Sequence, residues 1–236
     1  LPAPKTQPLL SAAAPPDYSK MSRAERARKD PAFKKKLIQQ QIDAAHNQPK
    51  AGTVTKLKDG GMERGMKWWK EGKLLNKKNT FEDYIYVAKY LIEKKYTSNG
   101  KIIGMGGSAG GLLMGAVVNQ SPELFLGMIM AVPFVDSLTT NLDHSLPLTI
   151  GEFDEFGNAK ENKEHFDYIY SYAPYHNIKK MDYPHIFITT SLSDNRVLFD
   201  EPTKFTAKLR DLKTDNNLLL LKTEMNAGHG GKSGRD

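Results

Sequence analysis

The sequence has 236 residues, contains no cysteine and carries a formal net charge of +7 at neutral pH. The lack of cysteine excludes disulfide bonds and thiolate chemistry, and no apolar run reaches the ~20 residues of a membrane span. No secretory signal pattern is present either. The sequence therefore predicts a cytoplasmic protein or, as the alternative, a mitochondrial matrix protein whose presequence has been removed.

The positive charge is concentrated at the beginning of the chain. Residues 1–59 carry 12 Lys and Arg against 5 Asp and Glu, a net charge of +7, whereas residues 60–236 carry 22 of each kind. We therefore divide the chain into a basic leader, residues 1–59, and a second region, residues 60–236. The first 16 residues of the leader are rich in Pro and Ala, which predicts a disordered or extended segment.

The leader also contains a predicted amphipathic helix. Ser22-Arg-Ala-Glu25 is a capping-box pattern that opens a short helix, and Asp30-Pro31 is a favourable start for a second helix. The apolar residues of the second helix share one face: Phe33, Leu37, Ile38, Ile42 and Ala45. Basic amphipathic helices bind acidic surfaces, so an acidic partner protein, RNA or anionic lipid is one interpretation. A solvated extension is the other.

Strand and helix patterns alternate along residues 60–236. The first predicted element is a helix capped by Thr80-Phe-Glu-Asp83 and ending near Lys95. A strand over 101–105, a helix over 112–118 and a strand over 125–132 follow, and then a long insertion over 137–184. The last predicted elements are a strand over 185–190, a helix over 201–213 and a strand over 217–223. Such alternation is typical of a parallel sheet with flanking helices. It predicts the α/β class, here as a partial α/β-hydrolase fold.

The sequence Gly106-Gly-Ser-Ala-Gly110 lies between the first predicted strand and the helix that follows it. In this context the pattern G-x-S-x-G predicts a nucleophile elbow, a sharp strand-to-helix turn that exposes the hydroxyl of Ser108. We expect glycines beside the serine because side chains there would collide with neighbouring backbone. The turn would direct the Ala109 N–H and the helix N-terminus at an oxyanion. The alternative is an ordinary glycine-rich turn.

A serine nucleophile needs a histidine base and a carboxylate that orients the histidine. Both residues follow the elbow in the order expected for this fold. Asp194 lies in the polar loop after the strand over 185–190, and His229 lies in a glycine-rich loop after the last strand. Taken singly, Asp194 could be a turn former and His229 an incidental loop residue. Their joint occurrence with Ser108 predicts a catalytic triad.

These segments resemble the prolyl oligopeptidase family of serine peptidases, and most closely its oligopeptidase B branch. The resemblance runs from about Gly60 to the last residue and is carried by segments that begin at Gly60, Gly72, Gly106, Val132, Leu146, Asp194 and Ala227. It implies Ser108 as the nucleophile, His229 as the base and Asp194 as the residue that orients it. It also implies that Arg196 contacts the peptide backbone of the substrate.

The resemblance further implies a substrate class. Oligopeptidase B-like enzymes cut short peptides after Lys or Arg, and the acidic pair of their first specificity pocket falls on Glu152 and Asp154 here. Carboxylates stabilise a buried cationic side chain, whereas a neutral side chain would leave them desolvated and unpaired. Without the resemblance, residues 152–155 are interpreted as a solvated acidic loop. No cofactor or metal is predicted, because the sequence has neither a phosphate-binding loop nor zinc-like spacing.

The first quarter of the chain departs from the family pattern. Family members carry an N-terminal β-propeller, the first strands of the catalytic sheet and a tyrosine that completes the oxyanion hole, and residues 1–59 match none of these. Because unpaired strand edges are costly, a rival hypothesis is a non-catalytic subunit that docks into a larger assembly through its basic leader. The intact triad favours the first hypothesis, a serine peptidase that acts on short peptides after basic residues.

Overall fold

The computed structural model describes residues 66–231. The leader, with its two predicted helices, and the predicted boundary at residues 59–60 lie outside this range. The helices are α1 (Met66–Lys70), α2 (Lys78–Glu93), α3 (Ala109–Gln120), α4 (Ser137–Leu142), α5 (Phe153–Phe156), α6 (Lys163–Tyr170) and α7 (Asp200–Leu212). The strands are β1 (Ile102–Gly107), β2 (Phe125–Ala131), β3 (His185–Ser191) and β4 (Leu219–Glu224). Short 3-10 turns occupy Leu74–Asn76, Pro122–Leu124, Ile150–Glu152 and Pro174–Asn177.

The four strands form one sheet in the order β1-β2-β3-β4, and every neighbouring pair is parallel. A helix separates β1 from β2 and β3 from β4, as parallel pairing requires a crossover connection. The predicted α/β class is therefore confirmed. The carboxyl ends of the strands meet at one edge of the sheet, and the loops that leave this edge carry the predicted triad.

The core lies between one face of the sheet and the helices. Met128 and Met130 of β2 pair in register with Ile186 and Ile188 of β3, and all four side chains are buried. Helix α3 contacts β1 and β2, whereas α7 contacts β3 and β4 and inserts buried Phe205. Helix α2 packs on the outside of α3.

The start of α2 differs from the prediction. The helix begins at Lys78, with Lys77 at the N-cap and no side-chain capping hydrogen bond. Thr80, the predicted cap, instead donates its hydroxyl to the carbonyl of Gly72 at 3.3 Å. Phe81, Ile85 and Ala88 are the buried apolar residues of this helix.

The long insertion between β2 and β3 is not a single irregular loop. It contains α4, α5 and α6 with two 3-10 turns. Within residues 66–231, no helix combines the length and the apolar character that a bilayer crossing would need.

Candidate active site

Ser108 lies on the sharp turn between β1 and α3. Its backbone has φ 53° and ψ −120°, a positive φ that residues with a side chain rarely adopt. Four backbone hydrogen bonds hold it there. The N–H of Ser108 donates to the carbonyl of Ala131 at 2.9 Å, and the Ser108 carbonyl accepts from Gly111 at 2.9 Å, Leu112 at 3.2 Å and Phe134 at 3.0 Å. A strained residue persists only where its surroundings over-determine it, and such residues cluster at functional sites. The turn has the geometry predicted for a nucleophile elbow.

The glycines near Ser108 are not equivalent. A Cβ on Gly106 would lie 2.2 Å from the carbonyl oxygen of Gly110, and one on Gly111 would lie 2.3 Å from Cβ of Pro133. A Cβ on Gly110 would meet no atom within 4 Å. The prediction of a close backbone approach is therefore right at Gly106 and wrong at Gly110.

Ala109 is the first residue of α3, so its N–H has no acceptor within the helix. No other acceptor for this N–H occurs in the part of the chain that the structure describes. The residue is exposed. A free N–H directly after Ser108, at the positive end of a helix dipole, is a suitable donor to an oxyanion.

Asp194 and His229 lie in two loops that backbone hydrogen bonds join. Leu192 donates to the carbonyl of Glu224 at 2.9 Å, and Ser193 donates to the carbonyl of Ala227 at 3.2 Å. These contacts bring the loop after β3 against the loop after β4. His229 Nδ1 then lies 2.8 Å from Asp194 Oδ2.

Both oxygens of the Asp194 carboxylate take part in hydrogen bonds. Its side chain is completely buried, and Oδ1 accepts the backbone N–H groups of Arg196 at 2.9 Å and Val197 at 3.1 Å. Since an ionised carboxylate only accepts hydrogen bonds, Nδ1 of His229 is the donor in the contact with Oδ2. The lone pair of the neutral ring is therefore on Nε2, as a general base requires.

Asp194 and His229, two of the three predicted triad residues, form a direct hydrogen bond. The Ser108 hydroxyl has no hydrogen-bond partner among residues 66–231, so its contact with His229 is not made in this state. Catalytic hydrogen bonds in substrate-free enzymes are often long and tighten only when the substrate is bound.

The predicted acidic pair lies where the 3-10 turn Ile150–Glu152 meets α5. Glu152 is half-buried, and its carboxylate has no hydrogen-bond or ion-pair partner in the described chain. Burial, and then the negative charge of Glu155, raise the pKa of Glu152. Asp154 is exposed. Glu152 is therefore a carboxylate that a cation would stabilise, while Asp154 is open to solvent.

Glu155, the third acid of this segment, has a structural role. It accepts a hydrogen bond from Nε1 of Trp69 at 2.7 Å and pairs with Nζ of Lys77 at 2.5 Å. These contacts attach α5 to the segment that precedes α2. The interpretation of residues 152–155 as a solvated loop is thus wrong for Glu155.

Arg196 is exposed, and its guanidinium contacts no acidic group in the described residues. Its backbone N–H is bound to Asp194 two positions earlier. The side chain therefore leaves the same loop that carries Asp194, and no group among residues 66–231 binds its donors.

A buried polar cluster behind the elbow was not predicted from the sequence. Glu201, in the first turn of α7, accepts the N–H of Asp136 at 2.9 Å and the hydroxyl of Thr140 at 2.6 Å. Lys204 Nζ lies 2.6 Å from Asp136 Oδ2. The cluster connects α7, which follows the Asp194 loop, to the segment that holds the Ser108 carbonyl. An acid in the first turn of a helix is common, so the sequence carries no sign that Glu201 is buried.

Comparisons with known proteins place these features in a family. A family model described as the prolyl oligopeptidase family matches residues 58–236. The sequence is 53% identical to Protease 2 of Moraxella lacunata over 182 residues, which are 77% of this chain and 26% of the relative. It is 50% identical to Dipeptidyl aminopeptidase BI of Pseudoxanthomonas mexicana over 176 residues, 75% of this chain and 24% of the relative.

The solved structures similar to this chain include two oligopeptidases B. Oligopeptidase B from Trypanosoma brucei, with covalently bound antipain, is similar with a TM-score of 0.72 and 46% identity, covering 74% of this chain and 24% of that one. Oligopeptidase B from Leishmania major is similar with a TM-score of 0.71 and 46% identity, over 73% and 24% of the two chains. The chain spans about a quarter of the length of these relatives.

Proposed function

Because the chain belongs to the prolyl oligopeptidase family, we propose that it provides the catalytic residues of an oligopeptidase B-like serine peptidase. Ser108 is the nucleophile, His229 the general base and Asp194 the residue that orients the base. One observation carries this assignment: a serine in a strained elbow precedes, on the same parallel sheet, a buried Asp194 that contacts His229 at 2.8 Å. A purely structural turn has no need of all three groups.

The reaction follows from these roles. His229 Nε2 takes the proton of the Ser108 hydroxyl as Oγ attacks the carbonyl carbon of the scissile peptide bond. The oxyanion accepts a hydrogen bond from the Ala109 N–H, and one such donor contributes about 10²–10³ in rate. His229 then gives its proton to the leaving amine, and an acyl-enzyme remains on Ser108. Water, activated by the same imidazole, hydrolyses the ester and restores the serine.

Asp194 contributes by fixing and stabilising the ring of His229. Three donors surround its carboxylate, which keeps the group in one orientation. The positive charge that forms on the imidazole during attack lies beside this negative charge in a buried site, where electrostatic stabilisation is stronger than in water.

The substrate is a short peptide with Arg or Lys before the scissile bond. Glu152 supports this proposal, since it is a half-buried carboxylate without a partner among residues 66–231, and such a group favours a cationic ligand. Asp154 is the second acid of the pair. Arg196 has guanidinium donors that no group in the described part of the chain binds, and they are available to the substrate carbonyl groups. The Trypanosoma brucei oligopeptidase B with covalently bound antipain supports covalent chemistry in a similar protein.

The rival function is a non-catalytic subunit of a larger assembly. It draws support from exposed apolar side chains on one face of the sheet, such as Met105 and Leu220. In that case the triad residues would be present without turnover.

A serine-directed fluorophosphonate probe separates the two functions. We expect the 236-residue chain to be labelled on Ser108, and labelling to be absent in Ser108→Ala. Ser145→Ala, at an exposed serine distant in sequence, serves as the matched control and should be labelled like the wild type. A sample that is folded by circular dichroism but remains unlabelled would favour the non-catalytic subunit.

A further inference from the structure

The segment that follows β2, residues 132–136, contacts the elbow directly. The N–H of Phe134 donates to the Ser108 carbonyl at 3.0 Å. A Cβ on Gly111, in the first turn of α3, would lie 2.4 Å from Cα of Pro133, so the two backbones touch there. Because these contacts involve backbone on both sides, a shift of the segment would move the elbow with it. We call residues 132–136 the support segment.

The support segment begins in a strained conformation. Val132 has φ 41°, a positive value that a β-branched residue rarely adopts. Such a conformation persists only where the surrounding structure determines it. The N–H of Val132 donates to the carbonyl of Thr189 at 2.8 Å, and the carbonyl of Val135 accepts the N–H of Tyr175 at 2.8 Å. These bonds fix the beginning and the middle of the segment.

Two side chains of α7 hold the end of the support segment at Asp136. Glu201 Oε2 accepts the backbone N–H of Asp136 at 2.9 Å, and Lys204 Nζ lies 2.6 Å from Asp136 Oδ2. Asp136 is 1% exposed and Glu201 is 3% exposed. Hydrogen bonds to ionised groups are the stronger kind, and they fix the geometry of both partners. The backbone and the carboxylate of Asp136 are thus both bound to the beginning of α7.

The beginning of α7 is also joined to the loop that carries Asp194. The N–H of Glu201 donates to the Leu198 carbonyl at 3.1 Å. The N–H of Val197 donates to Asp194 Oδ1 at 3.1 Å. The first turn of α7 is therefore connected to the proposed base through this loop and to the proposed nucleophile through the support segment.

We propose that Glu201 and Lys204 are positioning residues: by holding Asp136, they set how far the nucleophile lies from the base. The inference rests on the proposed function, since it concerns the same triad. Both residues act through the support segment. A misplacement of ~1 Å can reduce a reaction rate by about 10², so a small movement of this segment is enough to slow the attack by Ser108.

The test separates the reach of the side chain at position 201 from its charge. Glu201→Gln keeps the length of the side chain, and its carbonyl can accept the N–H of Asp136. Glu201→Asp keeps the carboxylate but is one methylene shorter, so it cannot make this bond without a movement of the backbone. The rate of fluorophosphonate labelling of Ser108 is measured at one fixed pH. It is expressed per folded molecule, with the folded fraction taken from circular dichroism, so that a loss of stability alone does not change it.

The proposal predicts opposite results for the two variants. Glu201→Gln should be labelled within about threefold of the wild-type rate, whereas Glu201→Asp should be slower by about 10-fold or more. Labelling of Glu201→Asp at the wild-type rate, or labelling of Glu201→Gln as slow as that of Glu201→Asp, would overturn the proposal. A folded wild type that is not labelled at all would contradict the proposed function, and the positioning role with it.

Lys204 provides a second variant, whose result does not depend on the folding of Glu201→Asp. Lys204→Met removes the cation beside Asp136 from a side chain that is 32% exposed, and it should slow labelling by about threefold or more. Asp200→Asn is the matched control, because Asp200 is the exposed partner of the same lysine at 3.1 Å. Its labelling rate should equal that of the wild type. An unchanged rate in folded Lys204→Met, or an equal fall in Asp200→Asn, would overturn the proposal.

Discussion

His229 Nδ1 lies 2.8 Å from Asp194 Oδ2, although the two residues are 35 positions apart and belong to loops after different strands. The contact determines which ring nitrogen carries the proton. Because the carboxylate can only accept, Nδ1 is protonated and Nε2 is free to receive the serine proton. The whole proposed chemistry depends on this choice of tautomer.

Asp194→Asn should therefore abolish most of the nucleophilicity of Ser108 without unfolding the protein. The asparagine carbonyl keeps the hydrogen bonds from Arg196 and Val197, while its NH₂ group faces His229 and forces the proton onto Nε2. In a serine protease of another fold the equivalent change costs about 10⁴ in kcat. We expect the rate of fluorophosphonate labelling to fall by about 10³–10⁴.

Asp167→Asn is the matched control for this experiment. Asp167 is exposed on α6, and within the described residues its carboxylate pairs only with Lys163, one helical turn earlier. Loss of the Asp167 charge should leave the rate of fluorophosphonate labelling within twofold of the wild type. A comparable fall in both variants would mean that the effect of Asp194→Asn is structural.

Glu152→Gln should remove the proposed preference for cationic substrates. The test compares kcat/KM for a peptide with Arg before the scissile bond and for its citrulline analogue, which has the same shape without the charge. Loss of a charge-assisted contact in a partly buried site predicts a decrease in the Arg/citrulline ratio of about 10-fold or more. Glu164→Gln, at an exposed acid of α6, should leave the ratio unchanged.

The same preference should depend on pH. Burial, together with the charge of Glu155, raises the pKa of Glu152. Its carboxylate therefore becomes protonated at a higher pH than an ordinary glutamate on acidification. The Arg/citrulline ratio should fall as the pH decreases through the weakly acidic range, and it should be flat in Glu152→Gln. A wild-type ratio that stays constant there would exclude Glu152 from the pocket.

Much of the fold could be predicted because periodicity and turn signals report local structure. Each predicted strand has its counterpart in β1 to β4, and each boundary is correct within two or three residues. The elbow at Ser108 could be predicted because its turn, with a positive φ, brings backbone segments close together. Such a close approach requires glycine at Gly106, and this requirement is visible in the sequence.

The buried polar contacts could not be predicted, because a sequence does not show which charges face each other. Glu155 and Asp154 are adjacent acids, yet one is bound to Trp69 and Lys77 while the other is exposed. The difference arises because the two side chains leave the short helix α5 in different directions. Glu201 is a similar case, since its partners Asp136 and Thr140 are more than 60 positions away.

The elbow glycines provide a stability test with an internal control. Gly106→Ala places a methyl group 2.2 Å from a backbone carbonyl, which must move. Overpacking of this kind costs about 1–3 kcal/mol or more. Gly110→Ala places a methyl group in open space within α3, where alanine is preferred to glycine by up to about 1 kcal/mol. Chemical denaturation should show the first variant to be destabilised and the second to be at least as stable as the wild type.

A result in which both glycine variants lose equal stability would contradict this geometry of the elbow. The labelling rate of Ser108 gives a second criterion. Gly110→Ala should retain labelling, because the turn at Ser108 does not depend on the missing side chain of Gly110.

We expect Glu201 to make the stability of the protein dependent on pH. Burial raises the pKa of Glu201 to about 7, against the hydrogen bonds from Thr140 and Asp136, which lower it. An acid with a raised pKa binds its proton more tightly in the folded state than in the unfolded state. Folding is therefore favoured when the group is protonated, and this contribution is lost as the pH rises from about 4.5 towards 7. The shift corresponds to about 3 kcal/mol at most.

Glu201→Gln isolates this contribution because it imitates the protonated acid. The glutamine carbonyl can accept the N–H of Asp136, while its NH₂ group donates to the hydroxyl of Thr140. The neighbouring titratable groups Asp136, Lys204 and His176 are present in both proteins, so their own titration contributes to both sides of the comparison. The free energy of unfolding of the variant relative to the wild type should increase between pH 5 and pH 8. A difference that does not change with pH would show that Glu201 is ionised throughout, and that Lys204 compensates its burial.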